Sequence, residues 1–221
     1  MSFLNRLKNN AANSIQQGAN QVARQAGNAA AQQISGTISG ATPAQAAPAG
    51  SIGSAGSQEW VVVFQDVPTS LAELRACPEA SLAEPYYAAA LLIPALCTWS
   101  VNQMESQAML NFLKGPEALT NRDIQFINDR LKGKEYVPQS YFAGAIPENN
   151  YEPTQPYTVT ILTNPYSYDE AGYVKFFIRS GGADSPRPLK VRQKPSTGEW
   201  FLWEHHLLPD IRIPVSADPW V

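Results

Sequence analysis

YTVTIL (157–162), YVKFFI (173–178), LKVRQ (189–193) and EWFLWE (199–204) are four short runs in which apolar and polar side chains alternate, and they decide the fold. A period of two places successive side chains on opposite faces of a sheet, and β-branched and aromatic residues suit that pleated surface. Pro195-Ser196-Thr197-Gly198 joins the last two runs as a turn, so the four read as an antiparallel meander.

Upstream of the meander the period changes. Ser70 followed by Glu73 is a capping-box signature for a short helix that stops before Pro78. A longer helix is expected from Leu82 to Trp99, kinked or restarted near Pro94, whose ring nitrogen has no hydrogen to give. Asn102 caps a further helix that turns Met104, Leu110 and Leu113 to the core and stops at Gly115-Pro116. Thr120 and Asp123 open the last, with Ile124, Ile127 and Leu131 on one side and Gly133 as its stop. Ahead of these helices Trp60-Val61-Val62-Val63-Phe64, ended by Pro68, reads as a buried strand. Helices followed by a run of strands give an α+β class, a helical half before an antiparallel β-meander.

The front of the chain is a different polymer. Residues 1–58 hold no acid and only three charged side chains, Arg6, Lys8 and Arg24. The other thirteen basic residues and all nineteen acids lie from Glu59 onward, so a formal −3 divides into +3 and −6. From Phe3 to Ile34 apolar residues recur at steps of three and four (Phe3, Leu4, Leu7, Ala11, Ile15, Ala19, Val22, Ala26, Ala30, Ile34), one stripe of a helix about 50 Å long. Gly18 and Gly27 each cost about 1 kcal/mol against alanine, so the helix should fray when alone in water. GTISGATPAQAAPAGSIGSAGSQ (36–58), with five glycines and two prolines, has linker composition and would hold its ends about 25 Å apart as a coil. The expected organisation is therefore an amphipathic helix over 1–35, a flexible linker over 36–58 and a single α+β domain over 59–221.

Such a leader can be a mobile tail, dock on the body, lie on a membrane surface or pack on a partner helix. On a membrane, Phe3, Leu4, Leu7, Ile15 and Val22 would insert while Arg6, Lys8 and Arg24 meet anionic head groups. At about 1 kcal/mol per charge that binding is weak and reversible. Residues 1–17 could equally address the chain to a larger assembly.

FLKGPEALTNRDIQFINDRL (112–131), YVPQSYFAGAIPENNYEPTQPYTV (136–159), GEWFLWEHHLL (198–208) and the final DPWV (218–221) together resemble an uncharacterised bacterial domain family of unknown function, found largely in gut-associated Firmicutes. The resemblance covers about residues 69–221. It implies an α+β body in a bacterial cytoplasm and transfers no active site.

Several chemistries are missing from the pattern. There is no Gly-x-Ser-x-Gly elbow, no Walker or Gly-x-Gly-x-x-Gly phosphate loop and no Cys-x-x-Cys. No cofactor and no metal are called for. The body is acidic with scattered basic residues, so the phosphate term that dominates nucleic-acid affinity is small and nucleic acid is rejected as the main partner. Cys77 and Cys97 read as two reduced core thiols. No continuous apolar stretch follows Arg6 and Lys8, so no secretory signal is read, and the longest apolar run, Tyr86–Cys97, is too short to span a bilayer. A cytoplasmic location, peripheral to the inner membrane, follows as the expectation.

His205 and His206 are the only histidines. As neighbours on a strand they point to opposite faces and do not share a metal readily; a hydrolase using one of them with Glu204 is the enzymatic alternative. Tyr141, Asn149, Asn150 and Tyr151 lie in an aromatic, proline- and amide-rich stretch that suits either a ligand groove or a long loop pinned to the body. Trp200 and Trp203 occupy opposite faces of their strand, and an exposed tryptophan beside His205 would make an interface anchor. The sequence thus supports a non-catalytic binding or interaction module for an unknown protein or small ligand, with the oligomeric state open.

Overall fold

The structure is a computed structural model that describes residues 2–28 and 57–220, with the side chains of the first helix described as far as Gln16. That helix, α1, runs Phe3–Asn28. Strand β1 (Glu59–Phe64) follows, then helices α2 (Leu71–Ala76), α3 (Pro85–Thr98), α4 (Gln103–Lys114), α5 (Asn121–Leu131) and the single turn α6 (Tyr136–Gln139). Strands β2 (Tyr157–Leu162), β3 (Tyr173–Ile178), β4 (Arg187–Gln193) and β5 (Trp200–His205) complete the α+β fold. Residues 29–56, with most of the expected linker and the end of the expected leader helix, lie outside the described residues.

The meander forms as its period demands. All five strands make one antiparallel sheet in the order β1-β2-β3-β4-β5, so β1 extends the meander at one margin. One face packs on α3, whose residues Ala88 to Thr98 are all buried, together with Val159, Ile161, Phe176, Ile178, Leu189 and Val191. A helix apolar on every side belongs at the centre of a core rather than at its surface. Pro94 sits inside α3, and the Thr98 hydroxyl donates to the Pro94 carbonyl at 2.9 Å.

Two expectations need correction. β1 is not a buried strand: Val62 and Phe64 enter the core, while Val61 and Val63 are 55% and 48% exposed. An unbroken apolar run conceals its period, and an antiparallel sheet packed on one side leaves its other face wet. Met104 does not face the core; it is 75% exposed, and Met109 takes the buried position beside Leu110 and Leu113.

Caps fall where their side chains predict. Asn102 Oδ1 accepts the Glu105 N–H at the start of α4, and Thr120 with Asp123 closes a reciprocal box on α5. Ser70 accepts the Glu73 N–H, but the Glu73 carboxylate turns to the N–H and hydroxyl of Thr69. Cys97 is buried, Cys77 is half-buried and both are free thiols. Among the described residues no helix is long and apolar enough to cross a membrane.

Candidate functional site

The leader helix lies on the body along its first three turns. Phe3, Leu7 and Ala11 recur at i, i+4 and i+8, and all three are buried. The Phe3 ring packs 5.2 Å from Tyr157 and 5.7 Å from Phe142, centroid to centroid. Full burial of such a ring contributes roughly 1.5–3 kcal/mol.

Polar contacts fix the orientation. The Phe3 N–H, unsatisfied by the helix itself, donates to Glu152 Oε2 at 2.8 Å. A carboxylate at the positive end of the helix dipole is favourable. Arg6, one turn on, donates to Glu152 Oε1 at 2.6 Å and to the Tyr157 hydroxyl at 2.9 Å. Further along, the Ser14 hydroxyl meets the Glu73 carboxylate. Of the roles open to the stripe, docking on the body is the one these turns adopt, and Phe3 and Leu7 are enclosed by the body in this arrangement. Leu4 and Arg6 are half-exposed, Lys8 is exposed, and Ile15 is 61% exposed. The side chains of Val22 and Arg24 lie outside the described residues.

Two open clefts flank this junction. One, of about 380 Å³, lies between Asn10, Asn13 and Ser14 of α1 and Asp66, Pro68 and Cys77 of the body. The other, of about 560 Å³, lies between Ala11 and Ile15 of α1 and Leu71, Arg75, Asn102 and Glu105. Burial raises the Cys77 thiol pKa, with Glu79 and Glu73 adding to the effect, so the thiol lining the smaller cleft is a poor nucleophile.

The aromatic and amide-rich segment is held to the body by its own polar groups. Tyr141 is buried and its hydroxyl donates to the Leu207 carbonyl at 2.6 Å, and Tyr151 is buried with its hydroxyl on the Arg212 carbonyl at 2.7 Å. Tyr136 stacks on Tyr151. Asn149 donates to the carbonyls of Gly144 and Glu152 while its Oδ1 accepts the Ile146 N–H. Asn150 takes a left-handed φ of 55° and accepts the Ser216 N–H. These contacts are those of a pinned loop, and the loop holds the Glu152 carboxylate against the start of α1.

The histidines stand apart from both clefts. His205 faces inward, paired in register with buried Leu189, and its Nδ1 is buried without a hydrogen-bond partner. Burial, helped by His206 and Lys114 and opposed by Asp123, lowers its pKa to about 4. His206 is exposed, and exposed Glu204 lies 4.0 Å from the Lys190 ammonium. Neither cleft is lined by the pair, and among the described residues no group of acids, cysteines and histidines is placed to hold a metal ion.

Trp203 and Trp200 divide as strand alternation requires, and both are half-buried. Trp200 packs on the core and its N–H donates to the Leu82 carbonyl at 2.8 Å. Trp203 lies on the outer face, edge-on to Tyr173 and covered by the Arg192 guanidinium 4.9 Å from its ring. Lys190 in turn sits over Tyr173 and pairs with Glu170 at 2.9 Å. Cation–π stacking of this kind shields the rings on an otherwise wet sheet face.

Sequence reasoning did not single out Glu152, Tyr157, Phe142 or Glu73 as the receptors of α1. A leader with no acids needs its counter-charge elsewhere, and Glu152 beside a cluster of aromatics was the available signal.

A family model, a domain of unknown function (DUF6935), matches residues 66–215, which leaves α1 and β1 ahead of the matched segment. No curated protein and no solved structure matches the chain.

Proposed function

The chain belongs to the DUF6935 family, a domain of unknown function, and from that premise we propose a non-catalytic interaction module that works through its N-terminal helix. The observation that carries this reading is the division of one stripe: Phe3, Leu7 and Ala11 are buried on the body, whereas Ile15, next in the same stripe, is 61% exposed. A helix held by three buried apolar side chains and by part-exposed polar contacts, those of Arg6 with Glu152 and Ser14 with Glu73 among them, is one that can exchange. Released, it offers Phe3, Leu4, Leu7, Ile15 and Val22 to an apolar layer and Arg6, Lys8 and Arg24 to anionic head groups. The location that goes with this is the cytoplasm, peripheral to the inner membrane.

Flotation of the full chain on vesicles with and without an anionic phospholipid, at low and moderate salt, tests it. Binding should require the anionic lipid, weaken with salt, fall with Ile15→Asp and rise with Glu152→Gln, which takes the carboxylate charge away from Arg6 and the helix N-terminus. No flotation in any arm would end the membrane reading and leave a protein partner, including a larger assembly addressed by residues 1–17, for the same stripe.

A further inference from the structure

The sheet has two margins, and among the described residues only one is guarded. At β5 the Trp200 N–H is taken by the Leu82 carbonyl, the register shifts at Lys190/Val191, and Phe201 lies against the Gly115 backbone. Such devices blunt an edge against further pairing. At β1 none of these is seen among the described residues: its sequence, EWVVVF, holds no lysine or proline, and its pairing with β2 has no register shift.

Hydrogen-bond parity shows what this margin presents. The Thr163 N–H donates to the Gln58 carbonyl, so Gln58 and Thr163 form a bonded pair. Counting in twos along the register, Trp60, Val62 and Phe64 turn their backbone groups towards β2. Glu59, Val61 and Val63 therefore turn theirs outward. The far side of β2 agrees, since the Thr158 carbonyl, opposite Val63, accepts the Ala143 N–H. Among the described residues no backbone group pairs with the outward donors and acceptors of Glu59, Val61 and Val63.

We propose that β1 is a self-pairing edge, on which a second copy of this chain adds its own β1 antiparallel about a two-fold axis through Val61. That register sets Val61 against Val61 and Glu59 against Val63, so each outward residue meets an outward residue. The one charge on the edge faces a valine of the other copy. A parallel arrangement would instead bring the two Glu59 carboxylates together, which strands avoid. Val61 and Val63 of both copies then form one apolar strip on the outer face of a ten-stranded sheet. A margin of this length covers less than the roughly 800 Å² per partner of a stable interface, so the dimer is a weak one that forms at high concentration.

Sedimentation velocity of the full chain from about 10 μM to about 1 mM reads the association. Wild type should shift towards a dimer across that range, and Val61→Lys, at an exposed position, should weaken it at least tenfold. Register is read by disulfide trapping in a Cys77→Ser background. Val61→Cys places two thiols at a bonded pair, about 5.5 Å between Cα atoms and within disulfide reach. Val63→Cys leaves them four positions apart along the strands, about 13 Å, and out of reach. A chain that stays monomeric throughout, a dimer indifferent to Val61→Lys, or trapping by Val63→Cys as fast as by Val61→Cys would each overturn the proposal. So would a monomer whose β1 pairs only with a foreign strand.

Discussion

The Arg6 guanidinium lies 2.6 Å from the Glu152 carboxylate, joining the first helix to the loop ahead of β2 across 146 residues of chain. The same carboxylate accepts the Phe3 N–H, so a single acid both caps α1 and pairs with it. An acid-free leader meets an acidic body, and the junction sits where Phe142 and Tyr157 also receive the Phe3 ring.

Loss of that acid should loosen α1 without unfolding the body. The pair is about a third exposed on each side, so its own worth is at most about 1 kcal/mol, with a similar amount for the cap. Glu152→Gln should therefore raise amide exchange over residues 3–11 by about tenfold while β2 to β5 keep their protection, as read by hydrogen-exchange mass spectrometry. Phe3→Ala should go further, by about 3 kcal/mol. Equal exchange in wild type and both variants would show that these contacts do not hold the helix.

His205 makes stability depend on pH in a defined window. Its folded pKa is lowered to about 4 from an ordinary 6.5, so the unfolded chain binds the extra proton between those values. Stability from this group is full above about pH 6.5 and falls as pH drops towards 4, by no more than about 3 kcal/mol. Urea midpoints at pH 7.5 and 5 should differ less in His205→Asn than in wild type, and an identical difference would remove His205 as the cause.

Two glycines should respond differently to alanine. A Cβ at Gly181 would lie 1.9 Å from the Ala145 carbonyl oxygen, a backbone atom, so Gly181→Ala should cost about 2 kcal/mol or more. At Gly172, φ is 78° with nothing within 4 Å, so only the left-handed backbone resists and the cost should be about 1 kcal/mol. Thermal melts of the two variants, measured side by side, check the order.

Tyr141→Phe removes a hydroxyl that satisfies the buried Leu207 carbonyl and should cost about 1–3 kcal/mol. Because the effect is on the pinning of the loop, denaturant midpoint rather than any ligand titration is the readout. A midpoint equal to wild type would mean the carbonyl finds another donor.

What the residues alone determined was local. Alternation in residues 157–204 specified the meander, because a two-residue period has one structural meaning, and Thr120-Asp123 and Asn102 placed helix starts because capping is a contact between near neighbours. The stripe of α1 was also legible, as was the opposite facing of Trp200 and Trp203. Tertiary structure decided what each surface meets. Nothing in EWVVVF tells a margin strand from a central one, since that depends on whether a further strand lies beside it. Nor does the stripe name its own receptor: Glu152, Tyr157 and Phe142 come together only when the loop from Tyr136 folds back on the sheet. Tyr141, Asn150 and Tyr151 of the loop look like ligand groups in the sequence because the groups that satisfy them, at Leu207, Ser216 and Arg212, lie more than sixty residues away. Periodicity and capping act over a few residues and can be read along the chain, whereas burial and partner choice depend on contacts that exist only after it has folded.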